Sequence, residues 1–177
     1  MTYEEIKAEL NDVYKETVKK KNEKFPANKN SNTLLENELT YGPHGKHNEI
    51  VGDNVTGHHM PSNKLMQDKF GIPQELSHSI NLEQIVPGTG GRHRRTFTYG
   101  ISTNSRKYQL YSSLTPRDAL AFDVRDLSRI LKEDGLYNKE TRQKLKGYID
   151  SYKSDPNAKK VFEKTNKNSK TVACLKK

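Results

Sequence analysis

The residues best suited to chemistry in this sequence are its histidines, which are gathered in one stretch of the chain. They lie between Tyr41 and Thr96: His44, His47, His58, His59, His78 and His93. Neutral imidazole is a common metal ligand and also accepts protons near neutral pH. Because the surrounding sequence is rich in glycine, we expect loops and short strands to build a site here, with His44 and His47 in a loop.

His58 and His59 are adjacent, which restricts what the pair can do. In a strand, neighbouring side chains point to opposite faces, so the two rings do not normally share one ligand sphere. At the end of a strand, one imidazole can hold a divalent cation while the other faces a water molecule. Phosphodiester hydrolysis needs both a cation to stabilise charge and a base for the water. A pair of surface or capping histidines is the alternative interpretation.

A second group of basic residues follows the glycine-rich loop at residues 87–91. Arginine binds phosphate through two parallel hydrogen bonds and stabilises the charge that develops during cleavage. We therefore expect Arg94 to act at the reacting phosphate, and Arg92 and Arg95 to bind the substrate. An ordinary basic turn is the alternative. The loop lacks a downstream Gly-Lys-Ser/Thr, which argues against nucleotide binding and favours a mobile active-site loop.

Tyr99, Arg106 and Lys107 extend this run with aromatic and basic side chains. Such residues can follow a nucleic-acid backbone and stack on its bases, so they are candidate substrate-binding residues. The same residues are equally compatible with the exposed face of a strand.

The charge of the chain favours a polyanion as its partner. The formal net charge is +9, which suits nucleic acid or an acidic membrane surface. The acidic residues do not cluster as they do in two-metal nucleases. Cys174 is the single cysteine, so the chain has no internal disulfide or cysteine zinc site, and a reducing compartment is favoured. No apolar segment approaches membrane-spanning length, so we expect no membrane insertion.

Helices are predicted at both ends of the chain. Thr2 and Glu5 form a capping box at the first one, and Thr115 and Asn138 are capping residues for two later ones. The expected bounds are about 2–24, 115–135 and 138–155, followed by a short basic helix near Val161 and Phe162.

The middle of the chain predicts short strands. Residues 48–60 are expected to form an extended stretch or hairpin, and residues 79–86 another strand. Between them, Leu65 and Phe70 predict a short helix that Gly71 closes.

The first motif of this region is Gly57-His58-His59-Met60-Pro61-Ser62, which resembles the signature of the HNH, or His-Me finger, nuclease superfamily. It is more closely similar to the toxin branch found at the C-termini of bacterial polymorphic toxins. Members of that branch carry a Gly-His-His-Met/Ile-Pro type motif, then a short helix and a second strand. A basic histidine segment with an aromatic residue and glycine comes later, and residues 91–100 fit that description. The resemblance covers residues 52–104.

The resemblance implies a role for each histidine. His59 would be the general base, His58 a metal ligand, and His93 a second ligand or a group that binds the scissile phosphate. The family usually orients its base with an asparagine between the strands, for which Asn81 is the nearest candidate. The usual pair of ligand histidines on the last helix is missing, which leaves His78 as a candidate ligand. Mg²⁺ is the first choice of metal, and Zn²⁺, Ni²⁺ or Mn²⁺ also suit imidazole.

The implied fold is α+β: a small ββα-metal core with a short twisted sheet, flanked by N-terminal and C-terminal helices. The chain would form a single domain over residues 1–177. A helix and linker would occupy 1–40, the core 48–110 and a helical part 115–165.

The implied function is that of a metal-dependent endonuclease acting on DNA in preference to RNA. It would be the toxin effector domain of a longer secreted or delivered protein that acts in the target-cell cytoplasm. Its producer would make a tight-binding immunity protein. Two alternatives stay open. One is a metal-independent ribonuclease toxin with His59 and His93 as base and acid, and the other is a non-catalytic nucleic-acid-binding module.

Overall fold

The computed structural model describes three stretches of the chain: residues 1–27, 32–47 and 52–159. The first helix, α1, spans Tyr3–Lys24 and begins at the predicted capping box. The Thr2 hydroxyl accepts a hydrogen bond from the Glu5 backbone N–H, and the Glu5 carboxylate accepts one from the Thr2 backbone N–H. The predicted N-terminal helix is therefore confirmed.

Three short antiparallel strands form one sheet: β1 at Tyr41–Pro43, β2 at Val55–His59 and β3 at His78–Glu83. β3 lies in the centre, pairs with both of the others and is buried along its whole length. In its register with β2, His58 lies opposite Ile80 and His59 lies opposite Ser79. The described part of the stretch predicted at 48–60 thus pairs with a later strand, and residues 48–51 lie outside the described residues.

Two short helices separate the strands. α2 spans His44–His47, so the loop predicted at these residues is one turn of helix. α3 spans Asn63–Phe70, begins at the Ser62 cap and ends at Gly71, whose φ is 63°. The helix predicted here is confirmed, and its left-handed end is a conformation that glycine adopts without strain.

The basic segments after β3 are also helical. α4 spans Arg92–Arg95 and α5 spans Arg106–Ser112. The strand interpretation of Arg106 and Lys107 is therefore wrong. Tyr108 and Tyr111 are buried while Gln109 is exposed, which is the pattern of a helix with one face inward.

The two long C-terminal helices agree with the sequence. α6 spans Pro116–Glu133 and α7 spans Lys139–Ser154. Thr115 and Asn138 provide the predicted caps, each accepting a hydrogen bond from the backbone N–H three residues later. The predicted apolar residues of these helices are buried or packed against the core: Leu120, Val124, Leu127, Leu131, Leu145, Ile149 and Tyr152.

Two clusters of buried apolar side chains hold these elements together. The first lies between the sheet and helices α6 and α7 and includes Ile80. The second lies between α1, α5 and the start of α6 and includes Phe97. Met60 belongs to the first cluster and Leu65 to the second. The segment that follows His59 is consequently fixed by both clusters.

The α+β class predicted from the sequence is confirmed, since a small sheet is flanked by helices at both ends. The order of strand, helix and strand followed by the histidine of α4 also agrees with expectation. The short helix expected near Val161 and Phe162 lies outside the described residues. Within the described stretches, no helix combines the length and the apolar character needed to cross a membrane.

Candidate active site

The two adjacent histidines at the end of β2 have different neighbours. His58 is only 5% exposed, and its ring centroid lies 5.1 Å from that of His93. The ring centroid of His59 lies 4.5 Å from that of His44. This agrees with the alternation of side chains along a strand. The pair therefore connects two separate groups of histidines.

A cleft of about 290 Å³ opens beside these rings. The lining residues come from the end of β2, the start of α3, and α4 with the segment after it. They are Gly57, His58, His59, Ser62, Asn63, His93, Thr98, Tyr99 and Gly100. Of the predicted site residues, the fold brings His58, His59, His93 and Tyr99 together here.

His93 is held in one tautomer by a residue that the sequence did not single out. Its Nδ1 lies 2.5 Å from Oε1 of Gln84, which directly follows β3. Because an amide oxygen only accepts hydrogen bonds, Nδ1 carries the proton and Nε2 keeps its lone pair. Partners of this kind orient imidazoles that bind metals. Burial lowers the pKa of His93 to about 4, and the charges of Lys21 and Arg94 add to this effect.

His59 is also neutral, for similar reasons. Its Nε2 donates a hydrogen bond to the backbone oxygen of Gln74 at 3.4 Å, which leaves Nδ1 able to accept a proton. Burial lowers the pKa of His59 to about 4, helped by nearby His44. Burial likewise holds the pKa of His58 well below its usual value. At neutral pH the rings of the cleft are unprotonated, the state that binds metal ions or accepts protons.

A second group of residues supports His59 from the other side. Ser79, which lies opposite His59 in the sheet, has its Oγ 3.0 Å from Nδ1 of His44 and 2.9 Å from Nε2 of His47. A Cβ at Gly57 would lie 2.7 Å from Nδ1 of His44, so the motif needs glycine to admit this ring. Histidine clustering drew attention to this region, but no sequence feature distinguished Ser79.

Asn81 does not occupy the place expected of an orienting asparagine. Its Nδ2 donates a hydrogen bond to Oγ1 of Thr40 at 2.9 Å, and it lies opposite Gly57 in the sheet. Its Oδ1 is buried without a hydrogen-bond partner among the described residues. The side chains nearest His59 are instead those of α2, together with the backbone of Gln74.

His78 lies away from the cleft, which corrects its assignment as a candidate metal ligand. The side chain is 2% exposed, and its ring packs 5.0 Å from that of Tyr152 on α7. Its Nε2 lies 3.5 Å from Oγ of Ser151. Alternation along β3 places His78 and Ser79 on opposite faces, so His78 belongs to the interior beneath α7.

Arg92 and Arg95 are buried in ion pairs, which contradicts their predicted role in substrate binding. The Arg92 guanidinium is fully buried and lies 2.6 Å from Glu38 and 3.1 Å from Asp134. Arg95 lies 2.6 Å from Asp134 and 2.6 Å from Glu133. Because both arginines are paired with these carboxylates, they stabilise the packing of α4 against α6 and are not directed into the cleft.

The remaining predicted residues do not line the cleft. Nη1 of Arg94 donates hydrogen bonds of 2.7 Å to the carbonyl oxygens of Ile85 and Gly90, which closes the glycine-rich loop. Arg106 is exposed and pairs with Glu9 on α1. Lys107 is half-buried on α5, with its Nζ 5.2 Å from the ring centroid of Phe97.

Two tyrosines anchor the segment that follows the adjacent histidines. The Tyr148 hydroxyl lies 2.5 Å from the carbonyl oxygen and 3.3 Å from the amide nitrogen of Met60. The Tyr111 hydroxyl accepts a hydrogen bond from the Ser62 backbone N–H and donates one to Asp123. These contacts are buried or half-buried and fix the backbone between β2 and α3.

Lys21 on α1 is a further neighbour of the cleft that the sequence did not reveal. Its ammonium group is buried and donates hydrogen bonds to the carbonyl oxygens of Thr96 and Tyr99, the latter at 2.6 Å. Lys21 stands in a run of three lysines, and nothing in that run distinguishes the buried member. The contact ties α1 to the segment that carries His93 and Tyr99.

The cleft can accommodate part of a metal coordination sphere. Over residues 1–27, 32–47 and 52–159, no group of three or more His, Cys, Asp or Glu side chains is arranged to hold an ion. His58 and His93 nevertheless offer two neutral imidazoles. Asn63 lines the same cleft, and its Oδ1 is buried without a partner among the described residues. An amide oxygen with two imidazoles fits a divalent cation whose other ligands are water or substrate oxygens.

Comparison with known proteins identifies no relative. No protein-family model, curated protein or solved structure matches this chain. The functional interpretation therefore depends on the geometry of the cleft and on the motif that contains His58 and His59.

Proposed function

We propose that this chain is a metal-dependent endonuclease that hydrolyses phosphodiester bonds in DNA. The observation that carries the proposal is the grouping of His58, His59 and His93 at one cleft, all three neutral. Lone pairs on Nδ1 of His59 and Nε2 of His93 supply a proton acceptor and a metal ligand. These are the functions that hydrolysis of a phosphodiester requires.

His59 is the general base in this proposal. Its Nδ1 takes a proton from the attacking water as oxygen adds to phosphorus, and the bond from phosphorus to the leaving oxygen then breaks. Gln74 holds the opposite ring nitrogen, and His44 packs against the ring. A phosphate anion in the cleft would raise the pKa of His59 towards neutrality, because an opposite charge favours imidazolium.

His58, His93 and Asn63 would hold the divalent ion. When bound, the ion would supply positive charge that stabilises the phosphate and the leaving oxygen. Gln84 would keep the His93 ring in the tautomer that leaves Nε2 for the ion. The amide oxygen suits Mg²⁺, whereas the two imidazoles also suit Zn²⁺, Ni²⁺ or Mn²⁺.

A second candidate is a metal-independent ribonuclease, because both histidines that it would need, His59 and His93, line the cleft. Such an enzyme uses one histidine as base and the other as protonated acid. The pKa of each ring is lowered to about 4, so very little imidazolium exists at neutral pH. In the free protein this favours the metal-dependent reaction; a bound phosphate, which would raise the pKa of either ring, would narrow the difference.

The wider setting follows from the resemblance to polymorphic-toxin nucleases. The chain would be an effector domain of a larger secreted or delivered toxin and would act in the cytoplasm of the target cell. Its net charge of +9 suits DNA as substrate and an acidic immunity protein as the partner that blocks the cleft.

The test is cleavage of plasmid DNA by purified protein with Mg²⁺, Mn²⁺, Ni²⁺ or Zn²⁺, and with EDTA. His59→Ala is compared with His78→Gln, a matched control in which the replaced histidine lies outside the cleft, and circular dichroism verifies folding. We expect cleavage that needs metal, is lost in His59→Ala and persists in His78→Gln. Cleavage of total RNA in EDTA, with plasmid intact, would favour the ribonuclease. Binding without cleavage of either substrate would favour the non-catalytic module.

A further inference from the structure

A series of aromatic rings leads out of the cleft towards α1. The ring centroids of His58 and His93 are 5.1 Å apart, those of His93 and Tyr99 5.0 Å, and those of Tyr99 and Phe25 5.9 Å. Each pair meets edge to face, with interplanar angles of 66°, 75° and 90°. Phe25 directly follows the last residue of α1. We call the outer part of this series, Tyr99 and Phe25, the aromatic ledge.

Cationic side chains accompany the aromatic ledge. Nζ of Lys21 lies 5.3 Å from the ring centroid of Tyr99, and Nζ of Lys24 lies 5.3 Å from that of Phe25. Burial lowers the pKa of Lys21 to about 7, and the nearby charges of Lys107 and Lys24 contribute. The ammonium groups of Lys24 and Lys107 are thus close enough to Lys21 to disfavour its charged form.

Carboxylates of the protein do not fully neutralise the charges of Lys24 and Lys107. Within the described part of the chain, neither Lys24 nor Lys107 forms an ion pair, and Glu16, the carboxylate near Lys107, is bound to Lys20 at 2.6 Å. Lys24 is exposed, and Phe25 and Tyr99 are half-buried, so each ring presents part of its surface to solvent. A cluster of cations beside accessible rings suits a ligand that carries both anionic groups and flat aromatic groups.

We propose that the aromatic ledge binds an unpaired nucleotide that adjoins the cleaved bond, with Lys24 and Lys107 contacting its neighbouring phosphates. Bases inside a duplex are already stacked on one another, so only an unpaired base can stack on Tyr99 or Phe25. This inference rests on the proposed function, because it places the scissile phosphate in the cleft at the inner end of the series. The substrate class is consequently single-stranded nucleic acid, or duplex opened near the cut.

The test is nucleic-acid binding by the full chain carrying His59→Ala, which separates affinity from cleavage. Fluorescence anisotropy follows a labelled oligothymidylate and a blunt duplex of equal length across a range of salt concentration. The Lys24→Gln, Lys107→Gln pair is compared with Lys144→Gln, Lys153→Gln on α7, a matched loss of charge beside the opposite edge of the sheet. Phe25→Ala is measured in parallel.

We expect Phe25→Ala to weaken single-strand binding at least about fivefold and duplex binding less. Replacing Lys24 and Lys107 should reduce the slope of log affinity against log salt concentration by about 0.7 for each lysine. Replacing Lys144 and Lys153 on α7 should leave that slope unchanged. Equal losses in both lysine pairs, unchanged affinity in the ledge variants, or no binding by the parent chain would overturn the inference. If wild type binds as expected but never cleaves, the proposed function fails while the ledge stands.

Discussion

The reactive rings of the cleft depend on single neighbours for their orientation. Gln84 fixes the tautomer of His93 through one hydrogen bond, and loss of such a partner typically costs about 10- to 100-fold in metal affinity or activity. We therefore expect Gln84→Leu to lower metal-dependent cleavage by about that factor. Titration calorimetry with Ni²⁺ and plasmid assays would measure both effects. Gln67→Leu, on the exposed face of α3, is the control, and equal behaviour of the two variants would refute this role.

Gly57 is required by the ring that packs against it. A Cβ added there would lie 2.7 Å from Nδ1 of His44 and 3.0 Å from Oγ of Ser79, so α2 would have to move. Overpacking of this kind costs about 1–3 kcal/mol, and Gly57→Ala should lower the free energy of unfolding by that amount and reduce cleavage. Urea unfolding of Gly57→Ala measures this loss. Gly90→Ala is the control, because a Cβ there would meet nothing closer than 4.0 Å. Stability equal to wild type would mean that α2 adjusts freely.

Residue type and adjacency were enough to predict part of the site. These features singled out His58, His59 and His93, and all three line one cleft. Arg92 could not be assigned from sequence, since its partners Glu38 and Asp134 lie 54 and 42 positions away along the chain.

Among the elements, α4 depends on a buried ion cluster. Arg92 contacts Glu38 and Asp134 and thereby joins α4 to the segment before β1 and to the end of α6. Removing one partner of a buried ion pair costs about 3–5 kcal/mol, because the remaining charges stay desolvated. Arg92→Leu should therefore lower the free energy of unfolding by about that much, measured against exposed Arg117→Leu. A stable Arg92→Leu variant with weakened DNA binding would restore the substrate-binding role.

Elements set by local chemistry were predicted, whereas β1, which is set by a distant pairing, was not. The caps at Thr2, Ser62 and Asn138 are complete within a few residues, so α1, α3 and α7 follow from sequence. β1 is three residues long and exists only because it pairs with β3, more than thirty positions later. α2 and the contact of His44 with His59 depend on that pairing. For this reason the sequence did not predict that His44 packs against His59, the proposed base.

For the molecule as a whole, the burial of several histidines couples folding to pH. Burial lowers the pKa of His59 and His93 to about 4 and also lowers that of His58 and His78. Between pH 6.5 and 4 the unfolded chain therefore binds more protons than the folded one, so stability is lost as pH falls through this window. Asp123 acts in the opposite sense, because burial raises its pKa. The imidazoles with lowered pKa outnumber this one carboxyl.

The expected loss of unfolding free energy at low pH is large relative to the total stability of a domain this size. A shift from 6.5 to about 4 is worth about 3 kcal/mol for each of His59 and His93 at full effect. Urea unfolding in EDTA should therefore show a free energy that declines steeply from pH 7 to pH 5. In His93→Gln the decline should be shallower, because one proton-binding difference is removed. If the free energy of unfolding did not change over this range, the histidine rings would be solvated and would keep their ordinary pKa values. The inference that the histidines of the cleft are neutral, on which the proposed chemistry depends, would then be wrong.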